Sequence, residues 1–169
     1  KTKVAIDNAA YLFQDQRINF VFVIAPNSVY QNWKKEISVH CPEDTNIYIW
    51  KVTKDKTFKL DPKKLTFVLM NVEALSHPSG KKWLEYKLLK HGMRSMVILD
   101  ESTAIKNLKA SRTKAIIKLG QLARYKRILT GSPITKSPLD LFAQCAFLDK
   151  KLLGYDNFTV FKSKFAVMY

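Results

Sequence analysis

No apolar run in this chain approaches the ~20 residues that a helix needs to cross a bilayer. The opening residues, KTKVAIDNAA, have neither the apolar stretch nor the small-residue cleavage site of a secretory leader, so none is expected. Cysteine is nearly absent. Cys41 and Cys145 stand far apart and outside any CxxC, so both are expected to be buried free thiols of a reducing, cytoplasmic compartment. His40, His77 and His91 fall at no metal-ligand spacing from those cysteines, which argues against a structural zinc site. There is no internal repeat, no low-complexity tract and no obvious linker. Acidic residues are few: 14 against 29 Lys and Arg, a net charge of +15. A surface that basic attracts polyanions. Because the basic residues are dispersed, they favour a folded polyanion-binding face over a disordered basic arm.

What is present points to one folded domain. The 169 residues are 47% hydrophobic, enough to bury a substantial core. Short apolar runs alternate with amphipathic segments. Strands are expected at 19–25 (NFVFVIA), 46–50 (NIYIW), 65–70 (LTFVLM), 96–100 (MVILD) and 126–130 (KRILT). Helices are expected after Thr2 and over 28–40, with Ser28 as N-cap and Val29, Trp33, Ile37 and His40 on one face. Others are expected over 81–92, closed by Gly92, and within 111–123, stopped near Gly120. Two more are expected over 137–149, with Ser137 as N-cap and Pro138 at the first helical position, and over 157–168. Residues 51–64 read as a basic loop. Strands apolar on both faces are the signature of a parallel sheet covered by helices on both sides. In such sheets ligands bind beyond the carboxyl ends of the strands. Those ends carry APNS, MNVE, LDES and LTGSP, all polar or turn-forming.

Asp100 and Glu101 follow the apolar run MVIL. A carboxylate at a strand end can hold Mg2+, and its neighbour can orient and deprotonate a water; nucleotide hydrolysis needs both. Taken alone, the pair reads first as a helix N-cap and a surface acid, because matches this short arise often by chance. Lys1–Thr2, followed by a helical run, matches the last two residues of a phosphate-binding loop, in which the lysine reaches the terminal phosphates and the hydroxyl binds Mg2+. The glycines of such a loop would precede Lys1. RILTGSP, 127–133, places Thr130, Gly131 and Ser132 at a strand end, either as an ordinary turn or as groups that contact the carboxylates and the nucleotide.

Together these stretches resemble the first RecA-like lobe of superfamily-two helicase-type motors, in particular the Swi/Snf-like double-stranded-DNA translocases. VFVIAPNSVYQNWKKEI resembles their motif Ia and VLMNVEALS their motif Ib. VILDESTAIKN resembles motif II, and RILTGSPITKSPLDLFAQCAFLDKKLLGYDNFTVFKSKF motif III with the stretch after it. The resemblance implies an α/β fold, a RecA-like P-loop NTPase three-layer sandwich with a mainly parallel central sheet. It implies one domain over 1–169, an ATP-binding lobe that starts inside the phosphate loop and works with a second RecA-like lobe. Implied ligands are ATP and Mg2+; the implied partner is duplex DNA, held by its phosphates; no membrane is involved.

By residue, the resemblance gives Lys1 to the β/γ-phosphates, Thr2 and Asp100 to Mg2+, and Glu101 to the attacking water. It gives Thr130, Gly131 and Ser132 to nucleotide sensing, and Ser28, Asn71 and Lys106 to DNA. Ser28 and Asn71 read equally as local caps. Trp33 reads as core rather than as a base-stacking platform. Lys106, Lys109, Arg112 and Lys114 form a basic cluster that either follows a phosphate backbone or faces water. Two departures stand out. Thr103 occupies the place of the family's usual histidine, which couples nucleotide to motif III, and Ser132 that of a threonine. Two alternatives remain: a DEAD/DEAH-type RNA helicase lobe, from which the Trp33–Glu36 region and FLDKKLLG point away, and a basic binding module with a degenerate nucleotide site. The compact spacing of the motifs leans toward a bacterial or phage source; a eukaryotic source would imply the nucleus.

Overall fold

The computed structural model describes residues 1–51, 61, 63–155 and 157–166, without the side chain of Tyr30. Its centre is a five-stranded parallel sheet of β1 (Phe20–Ala25), β2 (Thr45–Ile49), β3 (Leu65–Asn71), β4 (Ser95–Asp100) and β5 (Tyr125–Leu129), in the order β2-β3-β1-β4-β5. All four pairings are parallel, and β1 is central. The register sets Val23 beside Leu69 and Ile98, Ala25 beside Asn71, and Asp100 beside Leu129. The polar strand ends therefore share one edge.

The double-sided apolarity of the strands follows from two cores. Phe20, Phe22 and Ile24 of β1 point into one of them. There they meet Trp83, Leu84 and Leu88 of α3 (Pro78–His91), Ile116 and Leu119 of α4 (Ser111–Gly120), and Phe147 of α5 (Asp140–Leu148). The alternate residues Val21, Val23 and Ala25 point the other way. They meet Ala5, Ile6, Ala9 and Leu12 of α1 (Thr2–Gln14), and Trp33 and Ile37 of α2 (Tyr30–His40). This is the expected three-layer α/β sandwich. All six β1 residues are buried, and each large apolar side chain so placed contributes on the order of 1.5–3 kcal/mol. The outer strands β2 and β5 are half-buried throughout. Helix α6 (Phe158–Phe165) packs on α5 through Phe142, whose ring meets those of Phe158 and Phe161.

Several local expectations change. Ser28 does not cap α2: it lies exposed inside a 3-10 turn, Asn27–Val29, and the helix starts at Tyr30 after Val29. Ser137 does not cap α5 either. Its Oγ accepts from Leu139 N–H at 3.0 Å in a preceding turn, and the helix begins at Asp140. Gly92 follows α3, but its φ of −57° is not the left-handed cap conformation. Glycine is needed there because a Cβ would stand 2.0 Å from the Leu122 carbonyl oxygen. Cys41 and Cys145 are free but only half-buried, and burial pushes both thiols up. Most of the expected basic loop 51–64 lies outside the described residues.

Candidate nucleotide site at the carboxyl edge of the sheet

Strand β4 delivers Asp100 to the edge with only 5% of its surface exposed. Each of its carboxylate oxygens accepts one hydrogen bond: Oδ1 from the Glu101 backbone N–H at 2.9 Å, and Oδ2 from the Trp33 indole N–H at 2.8 Å. The chain turns sharply at the next residue. Glu101 sits in the left-handed region, φ 50° and ψ 59°, before the 3-10 turn Ser102–Ile105. Such a conformation costs a non-glycine residue on the order of 1–3 kcal/mol and is concentrated at functional sites. Gln16, at φ 55°, shares it, but at the far end of α1.

The amine of Lys1 lies 3.4 Å from Glu101 Oε1, with both side chains about half exposed. It also lies close to the backbone of Gly131: a Cβ on that glycine would be 3.8 Å from Nζ. The chain's first residue, the end of β4 and the turn after β5 thus converge on one spot. Within that turn Thr130 Oγ1 accepts from Ser132 N–H at 3.2 Å, and Ser132 Oγ donates to the Ile134 carbonyl at 2.8 Å. Thr2, half-buried, opens α1 beside Lys1.

These residues fit magnesium. The donor set is oxygen-rich, and an ionised carboxylate has about four lone-pair sites, so Asp100 keeps capacity after its two bonds. No group of three or more His, Cys, Asp or Glu that could hold a metal occurs among the described residues. A magnesium ion here would therefore complete its shell with water and phosphate oxygens, as that ion commonly does.

Two connections escaped the sequence reading. Trp33 is core, as expected, at 0% exposure, yet its N–H reaches the acidic pair. The available signal was chemical: a buried indole has one N–H that must find an acceptor. The second is Gln144, fully buried in α5. Its Oε1 accepts from Ser102 Oγ at 2.5 Å, and its Nε2 donates to the carbonyls of Pro133, at 2.7 Å, and Asp140, at 3.0 Å. It joins the turn after Glu101 to the turn after β5. The side chain of Thr103, where the family histidine was expected, is half-buried in the same turn as Ser102. Asp140 braces the segment after the β5 turn. It accepts from the N–H groups of Thr135 and Lys136 and from the Thr135 hydroxyl, and those bonds pull its carboxyl down to about 2.

The three residues assigned to DNA do not form one cluster of contacts. Ser28 is exposed beyond β1. Asn71 ends β3, where its Oδ1 accepts from Glu73 N–H at 2.8 Å, a local cap. It lines a cavity of about 470 Å3 with Asn27, Trp50, Lys51 and His77. Lys106 donates to Thr135 Oγ1 at 2.9 Å, on the side of the β5 turn. Of its basic neighbours, Arg112 pairs with Glu73, whereas Lys109 and Lys114 are exposed.

A parallel sheet covered on both faces, with a lysine, an Asp-Glu pair and a Thr-Gly-Ser turn meeting at its carboxyl edge, is the architecture of a RecA-like lobe. All 169 residues match the SNF2-related domain, and the chain belongs to that family. It is 30% identical over 149 residues to a SWI/SNF-related matrix-associated actin-dependent regulator of chromatin subfamily A-like protein 1 homolog of Caenorhabditis elegans, covering 88% of this chain and 20% of that protein. It is 31% identical to the human helicase-like transcription factor, covering 89% and 15%. It is 28% identical to the chromatin-remodeling ATPase INO80 of Arabidopsis thaliana, covering 97% and 11%. The SWI2/SNF2 ATPase core of Sulfolobus solfataricus, solved in complex with dsDNA, superposes with a TM-score of 0.75 at 27% identity, covering 98% of this chain and 32% of that one. The chain thus spans a fifth or less of these curated relatives. They come from eukaryotes, and the solved structure from Sulfolobus, so the expected bacterial or phage source gains no support.

Proposed function

We propose that residues 1–169 form the first motor lobe of an ATP-dependent double-stranded-DNA translocase. The observation that carries this is the meeting of Lys1, Glu101 and Gly131 beside Asp100 in a lobe of the SNF2-related family. In this reading Lys1 binds the β/γ-phosphates, and Thr2 and Asp100 take Mg2+. Bound magnesium neutralises charge on the phosphate oxygens. Glu101, half-exposed and held by the turn at the end of β4, orients the attacking water and takes its proton. Thr130, Gly131 and Ser132 sense the nucleotide, and Ser102 and Gln144 tie that turn to the acidic pair.

Ser28, Asn71 and Lys106 contact the phosphates of duplex DNA without reading bases. The net charge of +15 favours such salt-sensitive binding. A phosphate loop ahead of Lys1 and a second RecA-like lobe bringing an arginine finger complete the engine. In this reading ATP turnover needs that loop and that finger together with Lys1, Asp100 and Glu101. Relatives named for chromatin favour a nuclear protein if the source is eukaryotic.

The test is ATP hydrolysis by the full-length protein with no polymer, duplex DNA, single-stranded DNA or RNA. Duplex DNA is expected to stimulate most. Stimulation by RNA alone would favour an RNA helicase lobe. Tight, salt-dependent DNA binding with no turnover would favour a binding module.

A further inference from the structure

Trp33 does two separable things. Its ring fills the core between α2 and the sheet, alongside Val23, Ala25 and Ile98. Any large apolar side chain could do that part. Its N–H does something packing does not require: it donates to Asp100 Oδ2, from a residue with no exposed surface to one with 5%. A hydrogen bond to an ionised carboxylate at low exposure is among the stronger ones a side chain makes. The backbone N–H of Glu101 holds the other oxygen. One donor on a carboxylate leaves it free to turn about its Cβ–Cγ bond. Two donors on two oxygens fix its plane, and with it the direction of the lone pairs left for a ligand.

We propose that Trp33 is a positioning residue for the magnesium-binding carboxylate: its indole N–H fixes the plane of Asp100. The proposal rests on the reading of Asp100 as a magnesium ligand and names the partner that orients it. Because Trp33 belongs to α2, the bond also connects the helix behind the exposed turn Asn27–Val29 directly to the acidic pair. The indole has no acceptor, so an Asp100→Asn side chain would have to turn its NH2 against one of two donors. Asparagine is therefore a poor mimic of this aspartate.

The experiment measures nucleotide binding as a function of Mg2+ in the full-length protein, with a fluorescent ADP analogue and no turnover. The parent is compared with Trp33→Phe and with a protein carrying 3-benzothienylalanine at position 33. In that isostere a sulfur replaces the N–H and the ring shape is kept, so it decides the matter if the phenylalanine variant fails to fold. Partners that orient metal ligands change metal affinity by roughly 10–100-fold when removed. The Mg2+ concentration at half-saturation is expected to rise about 10-fold, with metal-free nucleotide affinity unchanged. A half-saturation within about twofold of the parent for the isostere overturns the role of Trp33 and leaves the nucleotide site standing. Loss of metal-free affinity in parallel marks a packing role and also overturns it. Magnesium-independent binding by the parent itself overturns the site reading and this proposal together.

Discussion

Replacing Gln144 with leucine isolates the polar link between the turn after Glu101 and the turn after β5. Leucine is close in volume, so packing changes little. The loss is in hydrogen bonds. The carbonyl of Pro133 belongs to an exposed residue and turns to water. The Ser102 hydroxyl has no exposed surface and loses its acceptor. A buried donor left unmade costs about 1–3 kcal/mol, so Gln144→Leu is expected to destabilise by about 2 kcal/mol. Ser102→Ala strands the other partner and is expected to cost about 1–2 kcal/mol. The double variant removes both partners, and such removal is nearly neutral. It should cost less than the sum of the singles, with an interaction energy of about 1–2 kcal/mol. Urea unfolding of all four proteins, with the m-value checked for constancy, measures this cycle. Costs that add to within about 0.5 kcal/mol would refute the link.

Gly92→Ala pushes a methyl to 2.0 Å from a backbone oxygen that cannot rotate away, and is expected to cost about 1–3 kcal/mol, read as a lower urea midpoint; an unchanged midpoint contradicts the close approach. Asp140→Asn should matter less in acid. The folded carboxyl titrates near 2, below its ordinary 3.8, so the stability it contributes is present above that ordinary value and lost as pH falls through about 2. The variant should therefore be weaker than the parent at neutral pH and converge with it toward that value; a constant gap contradicts this. Lys1→Ala removes an exposed amine and should leave folding intact. A charge-assisted bond contributes about 1.5–3 kcal/mol, so nucleotide affinity should fall about 10- to 100-fold in a fluorescent-nucleotide titration; unchanged affinity removes Lys1 from the site.

The sheet was legible because burial on both faces leaves a plain mark. Runs such as MVIL need two apolar cores, and β3 and β4 fall within one residue of their expected bounds. Helix starts were less legible. Ser28 and Ser137 both have cap chemistry, but Ser28 lies within a 3-10 turn ahead of its helix and Ser137 Oγ accepts from Leu139 N–H in a turn ahead of its own; a hydroxyl in sequence does not say where the helix will begin. Gly92 shows the same limit: close approach to Leu122 depends on a distant strand connection, not on the helix it follows. In the candidate site, the place of the acidic pair at the end of an apolar strand was legible, but its role was not, since the pair alone reads as a cap and a surface acid. Its meeting with Lys1 joins residues a hundred positions apart, and the phosphate-loop pattern Lys1–Thr2 and the resemblance foreshadowed it. Gln144 gave no signal, because a single polar residue in an amphipathic helix reads as solvent-facing until burial is known. Trp33 was read correctly as core, but its N–H went unassigned.

The most direct measurement of the central claim compares the full-length protein with its Glu101→Gln variant. ATP hydrolysis is followed with and without duplex DNA, and binding of Mg2+ and ATP is measured in parallel. The variant is expected to bind magnesium and ATP like the parent while DNA-stimulated turnover is lost. Equal turnover by the two proteins would show that Glu101 does not activate water, and that the acidic pair at the end of β4 is not the centre of an ATPase.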